Sequence, residues 1–160
     1  MSIGIGDRLP NTALTMATPD GPKPTTVEEV FAGKRAVLFA VPGAFTPTCS
    51  ARHLPGFLDK AVELKAKGID LIACVAVNDA FVMRAWAESQ DVADDILMLA
   101  DGAAEFTKAL GLEMDAGKLG LGLRSRRYAM VLDDAVVMAL NVEEAGEFRV
   151  SSAEHVLSQL

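Results

Sequence analysis

The chain has 160 residues, 51% of them hydrophobic, and its 22 acidic and 15 basic side chains give a formal charge of -7. This size and apolar content predict one domain over residues 1–160 and exclude an intrinsically disordered chain. The negative charge argues against nucleic acid or an anionic membrane surface as a partner.

The sequence predicts neither a membrane-spanning segment nor a secretory signal. Its longest apolar run, residues 71–77, is far shorter than the ~20 residues of a membrane-spanning helix. Residues 1–8 have no basic start and no apolar core of a signal peptide. We therefore expect a cytoplasmic address, in which the two cysteines, Cys49 and Cys74, are free thiols.

The first half of the chain alternates between helices and strands. Capping-box patterns over residues 25–29 predict a short helix. The apolar run over residues 36–41 predicts a buried strand. After a loop over residues 43–48, apolar residues recur every three or four positions from Cys49 onward, which predicts a helix that is kinked at Pro55.

The second half continues this alternation and ends in a hairpin, while residues 18–24 and 111–125 have the composition of loops. Strands separated by helices imply parallel neighbours that are buried on both faces. The sequence therefore predicts an α/β fold with a mixed central sheet and helices on both sides. The predicted elements are strands over 69–77 and 96–100, a helix capped at Asp79, a helix over 104–110, a hairpin of 128–132 with 136–142, and a terminal helix capped by Ser151.

Cys49 is the residue best placed for chemistry. It stands where a helix begins, with Thr46 or Thr48 available as a cap. The free amides and the positive end of the helix dipole stabilise a thiolate there. Because a surface helix dipole is weak, we expect a second positive group nearby. The candidates are Arg124, Arg126 and Arg127.

Each of these assignments has a structural alternative. Cys49 could be a small buried hydrophobe, but its polar neighbours Thr48 and Ser50 favour a partly exposed, reactive thiol. Cys74 lies within an apolar strand and is interpreted as core. His53, one turn after Cys49, could act as its base, although a packing or capping role is favoured because no third orienting group is identified. The three arginines could equally form a solvated face.

Three other kinds of site are not supported by the sequence. No cluster of ligands at short spacing predicts a metal site. The glycines of residues 117–123 do not follow a strand into a helix, so they indicate a flexible loop and not a dinucleotide site. The residues three before and three after Cys49 are Thr46 and Arg52, which excludes a Cys-x-x-Cys disulfide reductase.

The segment Val41–Phe57 contains the pattern Pro-x-x-x-Thr-x-x-Cys and resembles the active-site loop of the peroxiredoxins, in particular the type-five subfamily that includes the plant type II enzymes. The resemblance covers essentially the whole chain. It implies a thioredoxin-like fold, no bound cofactor, and a thiol peroxidase that reduces hydrogen peroxide and small alkyl hydroperoxides. The further matching blocks are residues 77–82, 99–101, 127–131, 139–142 and 157–160.

The resemblance also implies a role for four residues. Cys49 would be the peroxidatic nucleophile, which becomes a sulfenic acid. Thr46 would place the peroxide, and Pro42 would shield the thiolate from water. Arg127, and not its neighbours, matches the active-site arginine, in agreement with the second positive group expected above.

The resolving cysteine of several relatives is missing here, since Val150 stands near its expected place. An external thiol should therefore reduce the sulfenic acid, and we expect glutathione with glutaredoxin, with thioredoxin as the other possibility. The resemblance further implies a homodimer beside the active-site loop, with Phe45 and Pro47 as interface residues. The alternative function is a peroxide sensor or redox relay, in which Cys49 passes its oxidation to a partner protein.

Overall fold

The structure is a computed structural model that describes residues 2–160. The strands in chain order are β1 (Ala13–Thr18), β2 (Gly21–Thr26), β3 (Arg35–Ala40), β4 (Leu71–Ala76), β5 (Leu97–Ala100), β6 (Glu113–Ala116), β7 (Gly122–Ser125), β8 (Tyr128–Asp133) and β9 (Val136–Val142). The helices are α1 (Val27–Phe31), α2 (Leu54–Ala66), α3 (Ala80–Ser89), α4 (Glu105–Leu110) and α5 (Ala153–Ser158). A π-helical turn, Cys49–His53, leads into α2, and a short 3-10 turn, Gly117–Leu119, lies between β6 and β7.

Seven strands form one mixed sheet in the order β2-β1-β5-β4-β3-β8-β9, while β6 and β7 form a separate hairpin. β3, β4 and β5 are parallel, and the other neighbours are antiparallel. The predicted alternation is confirmed in the parallel part, where α2 connects β3 to β4 and α3 connects β4 to β5.

Two groups of buried side chains lie on the opposite faces of this sheet. Alternate residues of a strand point to opposite faces, so Val37 and Phe39 belong to one group while Ala36 and Leu38 belong to the other. Side chains of α2, α3 and α5 pack in the first group, and those of α1 and α4 in the second. The predicted mixed central sheet with helices on both sides is confirmed.

Local capping determines where two of the predicted helices begin. The hydroxyl of Thr26 accepts from the backbone N–H of Glu29 at 3.2 Å at the start of α1. The carboxylate of Asp79 accepts from the N–H of Val82 at 2.8 Å at the start of α3. Both caps satisfy amides that have no partner within their helix, and both predictions are confirmed.

Both segments interpreted as loops belong to strand hairpins: residues 18–24 include the turn and most of β2, and residues 111–125 include β6 and β7. β1 pairs with β2 so that Ala13 lies opposite Thr26 and Thr18 lies opposite Gly21, and β6 pairs with β7. β2 includes Pro22 and Pro24, which cannot donate to a ladder but are tolerated because β2 is an edge strand. The Pro-Asp-Gly sequence that joins β1 to β2 was the available turn signal.

The cap of the terminal helix differs from the prediction by one residue. Ser152, not Ser151, is the N-cap of α5, and its hydroxyl accepts from the N–H of His155 at 3.1 Å. Ser151 does not cap the helix, and its hydroxyl is directed instead at the carboxylate of Glu143, to which it donates at 2.7 Å.

The helical segment after Cys49 widens before it reaches Pro55. The N–H of Leu54 bonds to the carbonyl of Cys49, five residues earlier, which is the spacing of a π turn. Pro55 then occupies the first turn of α2, where its missing N–H leaves no intrahelical bond broken. The irregularity is thus located in the turn that carries Cys49.

Candidate active site

Cys49, Thr46 and Arg127 meet at one end of the central sheet. The strand register places Arg127 there, because Ala40 at the end of β3 pairs with Tyr128 at the start of β8. β3 leads into the loop that carries Thr46 and Cys49, and the residue before β8 lies beside that loop. Two adjacent antiparallel strands therefore bring together residues that are far apart in the sequence.

Two hydrogen-bond donors are directed at the sulfur of Cys49. Thr46 Oγ1 lies 2.8 Å and Arg127 Nη2 lies 3.1 Å from Sγ. The Thr46 hydroxyl is also 2.7 Å from the carbonyl oxygen of Gly43. Because a hydroxyl has one proton and a carbonyl only accepts, Thr46 can donate to Gly43 while accepting from a thiol, or turn its proton to a thiolate. Thr46 can therefore serve both protonation states of the sulfur.

Cys49 is fully buried, so the expectation of a partly exposed thiol is wrong. Cys49 belongs to the first group of buried side chains, together with Val41 and Leu54, while the neighbouring Ser50 is half-buried. The sequence pattern around Cys49 misled because the π turn directs Cys49 into the core although its polar neighbours Thr48 and Ser50 are only half-buried. Since water is excluded from the sulfur, the protein's own donors must stabilise any charge on it.

A cavity of about 360 Å³ opens next to this group of residues. Pro42, Thr48 and Arg127 line the cavity, whereas Cys49 does not. A small molecule in the cavity would therefore contact Pro42 and Arg127 before the sulfur. This placement agrees with the shielding position that the resemblance implies for Pro42.

The three arginines that the sequence offered have different contacts. Arg127 donates to the sulfur, as described above. Arg126 donates from Nη2 to the backbone carbonyl of Glu143 at 3.1 Å. Arg124 donates from Nη1 to the carbonyl of Val77 at 3.2 Å. Each guanidinium is thus partly satisfied by protein acceptors, and in the part of the chain that the structure describes only Arg127 is bonded to the thiol.

His53 contacts Arg127 and not the thiol. Its Nδ1 lies 2.8 Å from Arg127 Nη1, and its Nε2 lies 2.9 Å from the carbonyl oxygen of Ser151. Burial, and then the positive charge of Arg127, lower the pKa of His53 to about 3. The imidazole is therefore neutral at neutral pH, and its geometry fits the packing role better than that of a base for Cys49.

Cys74 lies in β4, paired with Phe39 of β3, and is fully buried. Burial, and then the nearby Cys49, raise the pKa of the Cys74 thiol, so it stays protonated at neutral pH. A protonated, enclosed thiol is a poor nucleophile. The structure therefore agrees with the interpretation of Cys74 as core.

Sequence reasoning missed Glu143, which follows β9 and is almost completely buried. Burial alone would raise its pKa, but hydrogen bonds from Ser151, Arg149 and Val150 outweigh that effect and hold the pKa below its usual value. No sequence pattern marks this site, because the donors come from a turn whose path is set by tertiary packing. An isolated Glu after a strand is ordinarily a surface residue.

Residues 2–160 contain neither a cluster of metal-ligating side chains nor a helix that could span a membrane. No group of three or more His, Cys, Asp or Glu side chains is arranged to hold a metal ion. No helix combines the length and the apolar content that a membrane span requires.

Comparisons with known proteins match almost the whole chain. The Redoxin family model matches residues 5–157. Peroxiredoxin-2E-2, chloroplastic, of Oryza sativa subsp. japonica is 60% identical, over 99% of this chain and 73% of its own length. Peroxiredoxin-2E, chloroplastic, of Arabidopsis thaliana is 53% identical, over 99% of this chain and 70% of its own. The crystal structure of reduced Prx3 from Vibrio vulnificus in complex with hydrogen peroxide has a TM-score of 0.94 and 59% identity, and the match covers 98% of each chain.

These matches test two of the predictions above. The thioredoxin-like α/β fold is confirmed by the Vibrio vulnificus structure and by the family model. The prediction of a cytoplasmic address is wrong, because both plant relatives are chloroplastic proteins. The composition of residues 1–8 and the shortness of the apolar runs, on which that prediction rested, do not distinguish the cytoplasm from the interior of an organelle.

Proposed function

The chain belongs to the peroxiredoxins of the Redoxin family and is a thiol-dependent peroxidase, and on that premise we propose that Cys49 is its peroxidatic cysteine, with Thr46, Arg127 and Pro42 as the other site residues. The substrates would be hydrogen peroxide and small alkyl hydroperoxides. The observation that carries the proposal is the pair of donors on the sulfur, Thr46 at 2.8 Å and Arg127 at 3.1 Å. The peroxide bound in the related Vibrio vulnificus structure supports the substrate class.

The proposed reaction is an in-line attack by the thiolate of Cys49 on one oxygen of the peroxide. A sulfur–oxygen bond forms, the oxygen–oxygen bond breaks, and the second oxygen takes a proton from solvent and leaves as water or an alcohol. The guanidinium of Arg127 would donate to the oxygen on which negative charge develops, and the Thr46 hydroxyl would orient the attacked one. The product on the protein is the sulfenic acid of Cys49.

The narrower family assignment is part of this proposal. We assign the chain to the type-five subfamily that includes the plant type II enzymes, and we treat residues 1–160 as one domain. The plant type II part of the assignment has the more direct support, since the two plant relatives reported above are both peroxiredoxins numbered 2E.

The sulfenic acid would be reduced by an external thiol. Val150 stands near the place where the family resemblance expects a resolving cysteine, and Cys74 is enclosed in β4 as a protonated thiol. Condensation with glutathione would form a mixed disulfide and release water. A glutaredoxin, with a second glutathione as the final reductant, would then restore the thiol. Thioredoxin is the other candidate reductant.

A homodimer formed beside the active-site loop completes the proposal. Phe45 is 54% exposed, and Pro47, two residues later, is also exposed. A large aromatic side chain on a loop tip is typical of a protein interface.

The test of the function is peroxide consumption by the purified protein with glutathione and glutaredoxin, and separately with thioredoxin and its reductase. We expect turnover in the wild type and in Cys74→Ser, and none in Cys49→Ser. Turnover that survives Cys49→Ser would refute the assignment of the nucleophile. A single oxidation of Cys49 by peroxide, without turnover in either reducing system, would favour the alternative function of a peroxide sensor or redox relay.

A further inference from the structure

Arg127 is held from two sides. One terminal nitrogen, Nη2, is 3.1 Å from the sulfur of Cys49, and the other, Nη1, is 2.8 Å from Nδ1 of His53. A guanidinium that is bonded through both terminal nitrogens cannot turn in any direction without breaking one of the two hydrogen bonds. The imidazole of His53 therefore fixes the direction from which Arg127 approaches the sulfur.

The contacts of His53 permit one tautomer only. A guanidinium only donates, so Nδ1 must accept and carries no proton. A backbone carbonyl only accepts, so Nε2 must carry the proton that it donates to Ser151 at 2.9 Å. The imidazole itself is fully buried and is surrounded by the rings of Phe39, Phe57 and Phe148 at centroid distances of 4.9, 5.6 and 5.1 Å. Nδ1 is thus free to accept from Arg127 because Nε2 keeps the ring proton in its hydrogen bond to the carbonyl of Ser151.

The carbonyl of Ser151 is in turn held by Glu143. One carboxylate oxygen, Oε2, accepts from the backbone N–H groups of Arg149, Val150 and Ser151 at 2.7, 2.9 and 2.8 Å. It also accepts from the Ser151 hydroxyl at 2.7 Å. Several donors on one buried carboxylate fix the path of the turn 149–151. Through its own backbone N–H, Glu143 also donates to the carbonyl of Arg127 at 2.9 Å.

We propose that Glu143 is a positioning residue for Arg127, acting through Ser151 and His53. Its backbone fixes the main chain of Arg127, and its carboxylate fixes the turn that holds the imidazole on the other side of the guanidinium. The main-chain hydrogen bond of Arg127 and its side-chain bond to His53 therefore both depend on Glu143, a buried residue that does not touch the sulfur. The kinetic part of this inference rests on the proposed function of Arg127, whereas the structural part does not.

The test compares Glu143→Gln with Glu144→Gln, a neighbouring exposed carboxylate with no side-chain hydrogen bond in the structure. A neutral amide cannot replace the charged acceptor for all of these donors. The structural readout is ¹⁵N NMR of the His53 ring in a His155→Gln background, which leaves one histidine in the chain. We expect the Nε2-protonated tautomer in the parent and in Glu144→Gln, and shifts typical of exchanging tautomers in Glu143→Gln.

The kinetic readout is the rate of thiol loss from Cys49 with hydrogen peroxide, compared with its alkylation by iodoacetamide. We expect Glu143→Gln to slow the peroxide reaction by about tenfold or more, because a small displacement of a catalytic group has a large effect on rate. Alkylation should slow by less than the peroxide reaction, since both reactions use the thiolate that Arg127 stabilises but only the peroxide reaction also needs a guanidinium on a departing oxygen. A general loss of structure would slow or accelerate both reactions together.

An unchanged tautomer and an unchanged peroxide rate in folded Glu143→Gln would overturn the proposal. If that variant does not fold, Ser151→Ala decides, because it removes one donor to Oε2 and keeps the carbonyl. We expect smaller changes in the same direction for Ser151→Ala, and no change in either readout would again overturn the proposal. Failure of the peroxidase function itself would be seen as no thiol loss in the parent protein, with the NMR result still informative.

Discussion

The indole N–H of Trp86 in α3 donates to the hydroxyl of Ser50 at 2.9 Å. Ser50 directly follows Cys49 in the π turn, and Trp86 is the single tryptophan in the chain. Trp86 is also fully buried, so its emission depends on this one polar contact and on its packing. The fluorescence of the protein is therefore coupled to the conformation of the turn that carries the thiol.

We expect oxidation of Cys49 to change the emission of Trp86, because an oxygen added to this fully buried sulfur alters its contacts with the surrounding side chains and displaces the turn. Stopped-flow fluorescence with hydrogen peroxide measures the change. Ser50→Ala should weaken it, and Cys49→Ser should abolish it, while Cys74→Ser serves as the matched control. An equal fluorescence change in Cys49→Ser would show that the signal arises elsewhere.

The oxidised form of Cys49 can be identified by intact mass. After one equivalent of peroxide without added thiol, we expect the wild type and Cys74→Ser to gain one oxygen, because the buried Cys74 thiol is not available to the sulfenic acid. Cys49→Ser should gain none. Loss of two hydrogens from the wild type would instead mean that Cys74 resolves the sulfenic acid, and would make thioredoxin the more suitable reductant.

Arg127→Gln and Arg127→Lys separate the charge of this side chain from its geometry. A hydrogen bond to a charged group contributes about 1.5–3 kcal/mol, so we expect Arg127→Gln to lower kcat/KM for peroxide by about tenfold to a hundredfold. Lys keeps the charge but replaces the two terminal nitrogens, which bond separately to His53 and to the sulfur, by a single Nζ, and should recover only part of the rate. Arg149→Gln removes an exposed arginine that pairs with Glu147, and should have little effect. A Lys variant as active as the wild type would contradict the two-sided arrangement.

Stability should fall as the pH falls because His53 is buried in its neutral form. Its pKa is about 3 in the folded protein against a usual value of 6.5, so between these pH values the unfolded chain binds more protons. The stability associated with the neutral imidazole is therefore present above pH 6.5 and is lost toward pH 3, by up to about 1.4 kcal/mol per pH unit. The lowered pKa of Glu143 acts in the same direction at more acid pH.

Urea unfolding at several pH values between 7 and 4 measures this dependence. The free energy of unfolding should fall less steeply with decreasing pH in His53→Asn than in the wild type, whatever the stability of the variant at pH 7. His155→Gln controls for the general loss of an imidazole. Equal slopes in the wild type and His53→Asn would show that His53 does not contribute to the acid sensitivity.

The proposed homodimer can be tested at Phe45, which has a positive φ of 66°. Phe45→Asn removes the exposed ring with a residue that tolerates this backbone conformation, so the loop itself should be preserved. We expect the wild type to sediment as a dimer at micromolar concentration and the variant to dissociate. Val62→Gln, at another exposed apolar position, is the matched control. A wild type that sediments only as a monomer would refute the dimer.

Local sequence signals were sufficient for much of the fold. The caps at Thr26 and Asp79 involve residues three positions apart, so their pattern is readable without tertiary information. The apolar run of β3 likewise reports burial on both faces of a sheet. β2 could not be recognised in this way, because a strand with Pro22 and Pro24 exists only through its pairing with β1 at the edge of the sheet.

The sequence by itself determined the chemistry of the candidate site, since Cys49 and Thr46 are three residues apart and a helix start is readable from its loop and caps. Tertiary structure decided the rest. The register between β3 and β8 places Arg127 beside the sulfur, and the π turn buries Cys49 although its neighbours are polar. The turn at 149–151 makes Glu143 an acceptor for donors that no local pattern foretells. Such long-range contacts depend on how whole strands and loops pack together, and this information is distributed over the entire chain.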